Sequence, residues 1–273
     1  MTSPLERTLN YLVLTLFALV ALAPLVTVLL AALHRPGELL TGIDVPSHLS
    51  LSTFRTAWQE GQFSQTMRSS AIVAVAVVAV TAVFSIMAGY GFGQTTFPGR
   101  DVLFAFMLIG LVVPFEALVV PLYYRFRDAG LTDTYWALIL PQIGLSVSFG
   151  TFWMRAFFRA VPRELVDAAR VDGASSWVVL WRVLVPVGRP AILTMVLLVF
   201  MWTWNEFLLA LVMITDDAHR TAPLGLSAFS SRYGTDVPGI SAAAILVALP
   251  VVVVYVFLQR HFIRGMLGGA IKG

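Results

Sequence analysis

The sequence predicts an all-α integral membrane protein: six transmembrane helices, both termini on the cytoplasmic side, and a helix-turn-helix in one cytoplasmic loop. Three observations predict it. The 273 residues are 58% hydrophobic and only 12% charged, with a mean hydropathy of +0.84, about half the charge from which a soluble domain builds its surface. Apolar windows long enough to cross a hydrocarbon core of about 30 Å recur six times. Arginine is concentrated in one of the loops between them.

The six windows are residues 11–33, 69–92, 102–122, 135–154, 190–215 and 240–259, and Glu116 and Glu206 are the only formally charged residues inside them. They are continuous apolar runs, which disfavours a β-barrel, whose strands alternate. The first window is too long for the apolar core of a cleavable signal and lacks a small-residue cleavage pattern after it. With the N-terminus inside, eleven of the 18 Lys and Arg residues are cytoplasmic and seven, including Arg232, are outside. Six of the eleven lie between Arg155 and Arg189, which favours the N-in, C-in arrangement. Pro24, Pro114, Pro121, Pro141 and Pro250 fall within the windows; each removes a backbone donor and can kink its helix.

The composition also excludes function classes. No cysteine is present, so disulfides and thiolate metal sites are absent. His34, His48, His219 and His261 have no metal-ligand spacing. The basic balance, net +3, reads as topogenic and not as a nucleic-acid signal. The only lysine is Lys272, followed by Gly273, so a phosphate-binding loop ending in Lys-Ser/Thr cannot be built. Any dependence on ATP must therefore come from a partner chain.

The loop over residues 162–186 reads as two helices and a turn. Pro162 suits a first helical turn, Glu164 the positive helix end, and Arg163 with Asp167 forms an i, i+4 pair of opposite charge. Asp172-Gly173 offers a left-handed stop. Ser175 or Ser176 can cap a second helix through Trp177 and Trp181 that ends at Pro186. Leu165, Ala168, Ala169 and Asp172 share one face of the first helix, and its small residues admit close approach of another surface. The competing reading is an amphipathic helix resting on headgroups; the two alanines bury little area for that role.

These residues carry a resemblance. Glu164-Leu165-Val166-Asp167-Ala168-Ala169, running on to Asp172-Gly173 and later Pro186, resembles the EAA loop of ATP-binding-cassette importer permeases. Ala88-Gly89-Tyr90-Gly91-Phe92 leading to Phe97-Pro98-Gly99-Arg100, Trp204-Asn205-Glu206-Phe207, and the tail from Arg264-Gly265 to Gly273 resemble the carbohydrate-uptake (maltose-type) branch. Two departures stand out: Asp167 replaces the motif's leading glutamate, and Arg68-Ser69 stands where Asn-Ser is usual. The resemblance implies an inner-membrane permease subunit without enzymatic activity or cofactor of its own. Its partners would be a second homologous permease, two cytoplasmic ATPases that bind ATP and Mg, and an extracytoplasmic solute-binding protein that delivers a sugar, with no nucleic acid. Glu164, Asp167, Ala168, Ala169, Asp172 and Gly173 would dock the ATPase. The implied organisation is an N-terminal helix and extracytoplasmic loop over 1–66, a permease core over 67–260, and a cytoplasmic tail over 261–273.

Charge inside a span is costly and marks a pathway by default. Trp202, Asn205, Glu206 and Leu209 would share one face of a continuous helix, an aromatic platform beside hydrogen-bonding groups suited to a sugar. The alternative is that Glu206 and Asn205 satisfy neighbouring groups to hold the bundle. Glu116, Gln142, Ser146 and Ser148 are further pathway candidates. Two other classes fit less well. A secondary transporter working through intramembrane carboxylates lacks an inverted repeat to support it, and an enzyme lacks convergent nucleophile, base or metal ligands.

Overall fold

The computed structural model describes residues 4–40, 42, 44–231 and 234–270. Its long helices are α1 (Pro4–Ala32), α3 (Phe63–Gln94), α6 (Tyr135–Ala160) and α11 (Val237–Ala270). The shorter ones are α2 (Ser52–Glu60), α4 (Arg100–Val112), α5 (Phe115–Asp128), α7 (Arg163–Val171), α8 (Ser176–Val187), α9 (Arg189–Trp204) and α10 (Leu208–Met213). Among the described residues four helices are long and apolar enough to cross a membrane: Leu5–Ala32, Phe63–Gln94, Tyr135–Ala160 and Val237–Arg260. The total reaches six if each of two bent pairs is one span.

Two of the predicted windows are broken and not continuous helices. Within the predicted 102–122 span, α4 stops and α5 restarts at 93° to it. Val113 is extended (ψ 121°) and Pro114 follows at the α5 N-cap, because a residue before proline is pushed out of the helical region. Pro24, Pro121, Pro141 and Pro250 remain inside helices. Within the predicted 190–215 span, α9 ends at Trp204 and the chain resumes as α10 only at Leu208. Trp202, Asn205, Glu206 and Leu209 therefore do not share a helical face.

The chain divides into two compact units. The first, Met1–Ser64 with Gly225–Leu249, holds α1, α2 and the start of α11. Its loops are tied by Asp236, whose Oδ1 accepts from the Gly37 and Gly239 amides at 3.2 and 3.1 Å, and by Thr53, whose hydroxyl donates to the His34 carbonyl. A two-residue hairpin pairs Ser230 with Thr235.

The second unit, Gln65–Leu224 with Pro250–Gly273, carries the predicted site residues. Its core joins Val73, Val77 and Tyr90 of α3 to Leu138, Met154 and Phe158 of α6, and these to Leu184 of α8 and Met195 of α9. Helices α3 and α6 meet at Gly89, where a Cβ would lie 2.5 Å from Met154 Cβ and 3.0 Å from the Arg155 amide nitrogen. Glycine is what lets the two backbones approach this closely. At the far end Asp133 holds φ +59°, and its Oδ1 accepts from the Thr215 and Asp216 amides, the latter at 2.8 Å.

Candidate functional site: an outward helix-turn-helix and a cavity

Helix α6 runs through Val161 and Pro162 into α7. Pro162 sits at the N-cap, one residue before the predicted first turn. Glu164 lies in the first turn and Arg170 in the last, each charge opposed to the helix dipole end it faces. Among the described residues no ion pair joins Arg163 to Asp167, as expected where two exposed long side chains gain little from being held together.

The helix ends as its Asp-Gly pair predicts. Gly173 has φ +80°, its amide donates to the Arg170 carbonyl at 3.0 Å, and the Ala174 amide donates to the Ala169 carbonyl at 3.0 Å. This crossed pair is a Schellman stop. The Ser175 hydroxyl then accepts from the Val178 amide at 3.4 Å and starts α8. Helix α8 does not end at Pro186. It widens into a π-helical stretch over Val179–Leu184 and continues to Val187, so the proline's missing N–H falls at the restart of the regular helix. It then turns 80° into α9.

The two helices are seated unequally. Val166 is 5% exposed, and Ala169 and Ala174 pack against the core, as do Val179, Leu180 and Trp181. Glu164, Asp167, Ala168 and Asp172 face outward, with Leu165 at 38% exposure. The predicted face is therefore split, with Ala169 turned to the bundle and Leu165, Ala168 and Asp172 turned away. Two alanines in succession leave the core side ambiguous in sequence; Val166 decides it. Trp177 is 59% exposed, and its ring lies tilted at 60° to that of Trp181 with centroids 5.5 Å apart.

The second feature is a cavity of about 410 Å³. One wall is the α4–α5 bend from Gly110 to Glu116. A second is the α6 face carrying Gln142, Ser146 and Phe149, and a third is the end of α9 with Trp202, Thr203 and Glu206. The Phe149 and Trp202 rings meet edge to face at 4.7 Å. Behind them, Trp153 donates its indole N–H to the Ala191 carbonyl at 2.9 Å and fixes α6 to α9. Gln142 gives one amide hydrogen to the Leu138 carbonyl at 2.9 Å.

Glu206 has two roles at once. It lines the cavity, and its carboxylate oxygens accept from the Leu209 and Ala210 amides at 2.8 and 3.3 Å, satisfying donors that the start of α10 would leave open. Of the seven polar and aromatic pathway candidates, Glu116, Gln142, Ser146, Trp202 and Glu206 converge on this cavity. Asn205 does not: its side-chain amide donates to the Met201 carbonyl at 2.7 Å from an exposed position. Ser148 back-bonds to the Gly144 carbonyl at 3.3 Å and also lies off the wall. Phe149 and Thr203 were missed, although Phe149 is seven residues past Gln142 on the same helical face. Among the described residues no group of His, Asp and Glu is gathered for a metal ion. Of the tail motif, Ile271, Lys272 and Gly273 lie outside the described residues, as does Arg232.

Residues 81–268 match the family described as binding-protein-dependent transport system inner membrane component. The arabinooligosaccharides transport system permease protein AraQ of Halalkalibacterium halodurans is 32% identical over 277 residues, covering 100% of this chain and 99% of that protein. The trehalose transport system permease protein SugB of Mycobacterium tuberculosis is 31% identical over 255 residues, 93% of each. Among solved structures, a chain of a bacterial ABC transporter involved in the import of the acidic polysaccharide alginate superposes with a TM-score of 0.79 at 21% identity, covering 96% of this chain and 99% of that one. At that identity the likeness speaks for the fold.

Proposed function

The chain belongs to the family of binding-protein-dependent transport system inner membrane components, and on that premise we propose that it is the permease subunit of an ATP-driven ABC importer that moves a saccharide into the cytoplasm. It is an inner-membrane protein. The observation that carries the reading is the seating of α7. Its Val166–Ala169 side is packed on the bundle core while Glu164, Asp167, Ala168 and Asp172 stay outside. A short helix held on one side by the core and stopped rigidly at Gly173 can pass a push from a neighbouring protein into α6 and α8. The neighbour in this reading is one of two cytoplasmic ATPases that bind ATP and Mg. The remaining partners are a second, homologous permease and an extracytoplasmic solute-binding protein.

In this arrangement α4 with α5 forms one span and α9 with α10 another, giving six with both termini inside, while α7 and α8 lie on the cytoplasmic side. Residues 1–66 form the first span and an extracytoplasmic loop, 67–260 the permease core, and 261–273 a cytoplasmic tail. The cavity beside the Pro114 break is the saccharide path: Trp202 offers an aromatic face, and Gln142, Ser146, Glu116 and Glu206 offer hydrogen-bonding groups to hydroxyls. Asn205 serves the α9 terminus instead of the path.

The test is reconstitution of the full complex in proteoliposomes with the binding protein outside. Uptake of labelled saccharide is expected only with ATP on the ATPase side and binding protein on the other. Uptake driven by an ion gradient without ATP would overturn the assignment in favour of secondary transport.

A further inference from the structure

We propose that Glu116 makes the cavity selective for saccharides that carry no carboxylate or phosphate, an inference that rests on the transport reading. The titratable side chains on the cavity wall are Glu116 and Glu206; among the described residues no Lys, Arg or His lines it. The two carboxylates are not equivalent. Glu206 is answered by the Leu209 and Ala210 amides, which offset part of its field. Glu116 stands in the first turn of α5 beside Pro114, exposed and on the cavity wall, and among the described residues it has no ion-pair partner within 4 Å. The cations of its own helix, Arg125 and Arg127, sit in the last turn, about 14 Å along the axis or farther at 1.5 Å per residue.

The rest of the wall is mostly apolar, with Leu111, Val112, Leu145 and Phe149. Such a lining lowers the local dielectric and strengthens repulsion between like charges relative to water. A uronate entering here would leave its own hydration, meet the Glu116 carboxylate, and find no guanidinium to pair with. Neutral hydroxyls face no such cost, because carboxylates and the Gln142 amide accept or donate to them readily. Rejection by an unpaired like charge is an established route to specificity.

The experiment titrates the detergent-purified complete permease–ATPase complex, without binding protein, with a neutral trisaccharide (maltotriose) and an acidic one (trigalacturonate), following tryptophan fluorescence. Glu116→Gln and Glu116→Arg are compared, with co-purification of the ATPase as the assembly control. Wild type is expected to bind the neutral sugar at least tenfold more tightly. Glu116→Gln narrows that ratio, and Glu116→Arg brings it to unity or reverses it. Equal or tighter binding of trigalacturonate by wild type, or a ratio unmoved by Glu116→Arg, overturns the inference. Binding of neither sugar while ATP-dependent uptake persists also overturns it, by placing recognition outside this cavity. Absence of ATP-dependent uptake of any saccharide overturns instead the transport reading beneath it.

Discussion

Replacing Gly89 with alanine, beside the same change at Gly91, measures how far the bundle depends on backbone contact between α3 and α6. At Gly89 the new Cβ would lie 2.5 Å from Met154 Cβ and 3.0 Å from both Met154 C and Arg155 N. Carbon atoms prefer about 3.5–4.0 Å. The obstructing atoms are backbone or fixed to it, and Met154 is fully buried, so no rotamer change relieves the overlap and the helices must separate by roughly an ångström. Overpacking of this kind costs about 1–3 kcal/mol. At Gly91, two residues on, a Cβ meets nothing within 4 Å. Both changes gain the same helix propensity of about 1 kcal/mol from losing glycine, so this contribution cancels in the comparison and the expected difference between the variants is about 1–3 kcal/mol. The assay is unfolding of the purified complex by heat or by graded detergent, with both variants at equal concentration. Gly91→Ala should match or exceed wild type and Gly89→Ala should fall below it. Because α6 leads straight into α7, Gly89→Ala should also lower uptake per ATP hydrolysed. Indistinguishable stabilities would refute the close-approach argument.

Gly173→Ala meets no atom within 4 Å, so its cost is the left-handed conformation alone, about 1–2 kcal/mol; hydrogen exchange at the Ala174 amide should rise roughly tenfold, with Gly173→Asn milder. Equal protection in all three proteins would contradict the stop assigned to α7. Glu206→Ala removes acceptors from two amides and should cost about 1 kcal/mol of stability, whereas Glu206→Gln keeps one acceptor and most of that stability. Uptake measured in Glu206→Gln then separates the two roles: a loss marks the pathway role, and wild-type uptake leaves only the structural one.

The parts of this architecture set by length and composition were legible before any coordinates. Apolar runs of about 20 residues are found by counting, and the Asp172-Gly173 pair announces a stop because few residues tolerate φ near +80°. The cavity was legible for a related reason. Glu116, Gln142, Ser146, Trp202 and Glu206 are polar or amphipathic groups in otherwise apolar runs, and such groups are retained in spans where they face a bundle interior or water. What escaped depends on tertiary contacts. Pro114 marks a break, but whether it yields a slight kink or a 93° turn is decided by what packs around it. The break between Trp204 and Leu208 is accompanied by Glu206 folding back onto the Leu209 and Ala210 amides, a contact with no sequence signature. The inward side of α7 turns on Val166, one of two adjacent apolar residues, and periodicity over one short helix could not select it against Leu165.

Because the chain contains no cysteine, a single introduced thiol reports on what α7 touches. A thiol-attached photo-cross-linker at Ala168→Cys, on the outward side of α7, is compared with one at Leu165→Cys and with one at Val187→Cys, exposed at the end of α8. All three are placed in the complete complex in lipid. Adducts with the ATPase subunit are expected from positions 168 and 165, changing in yield when ATP is bound, and few from 187. Adducts with lipid alone from Ala168→Cys, with and without nucleotide, would contradict the claim that α7 is where the motor grips the permease.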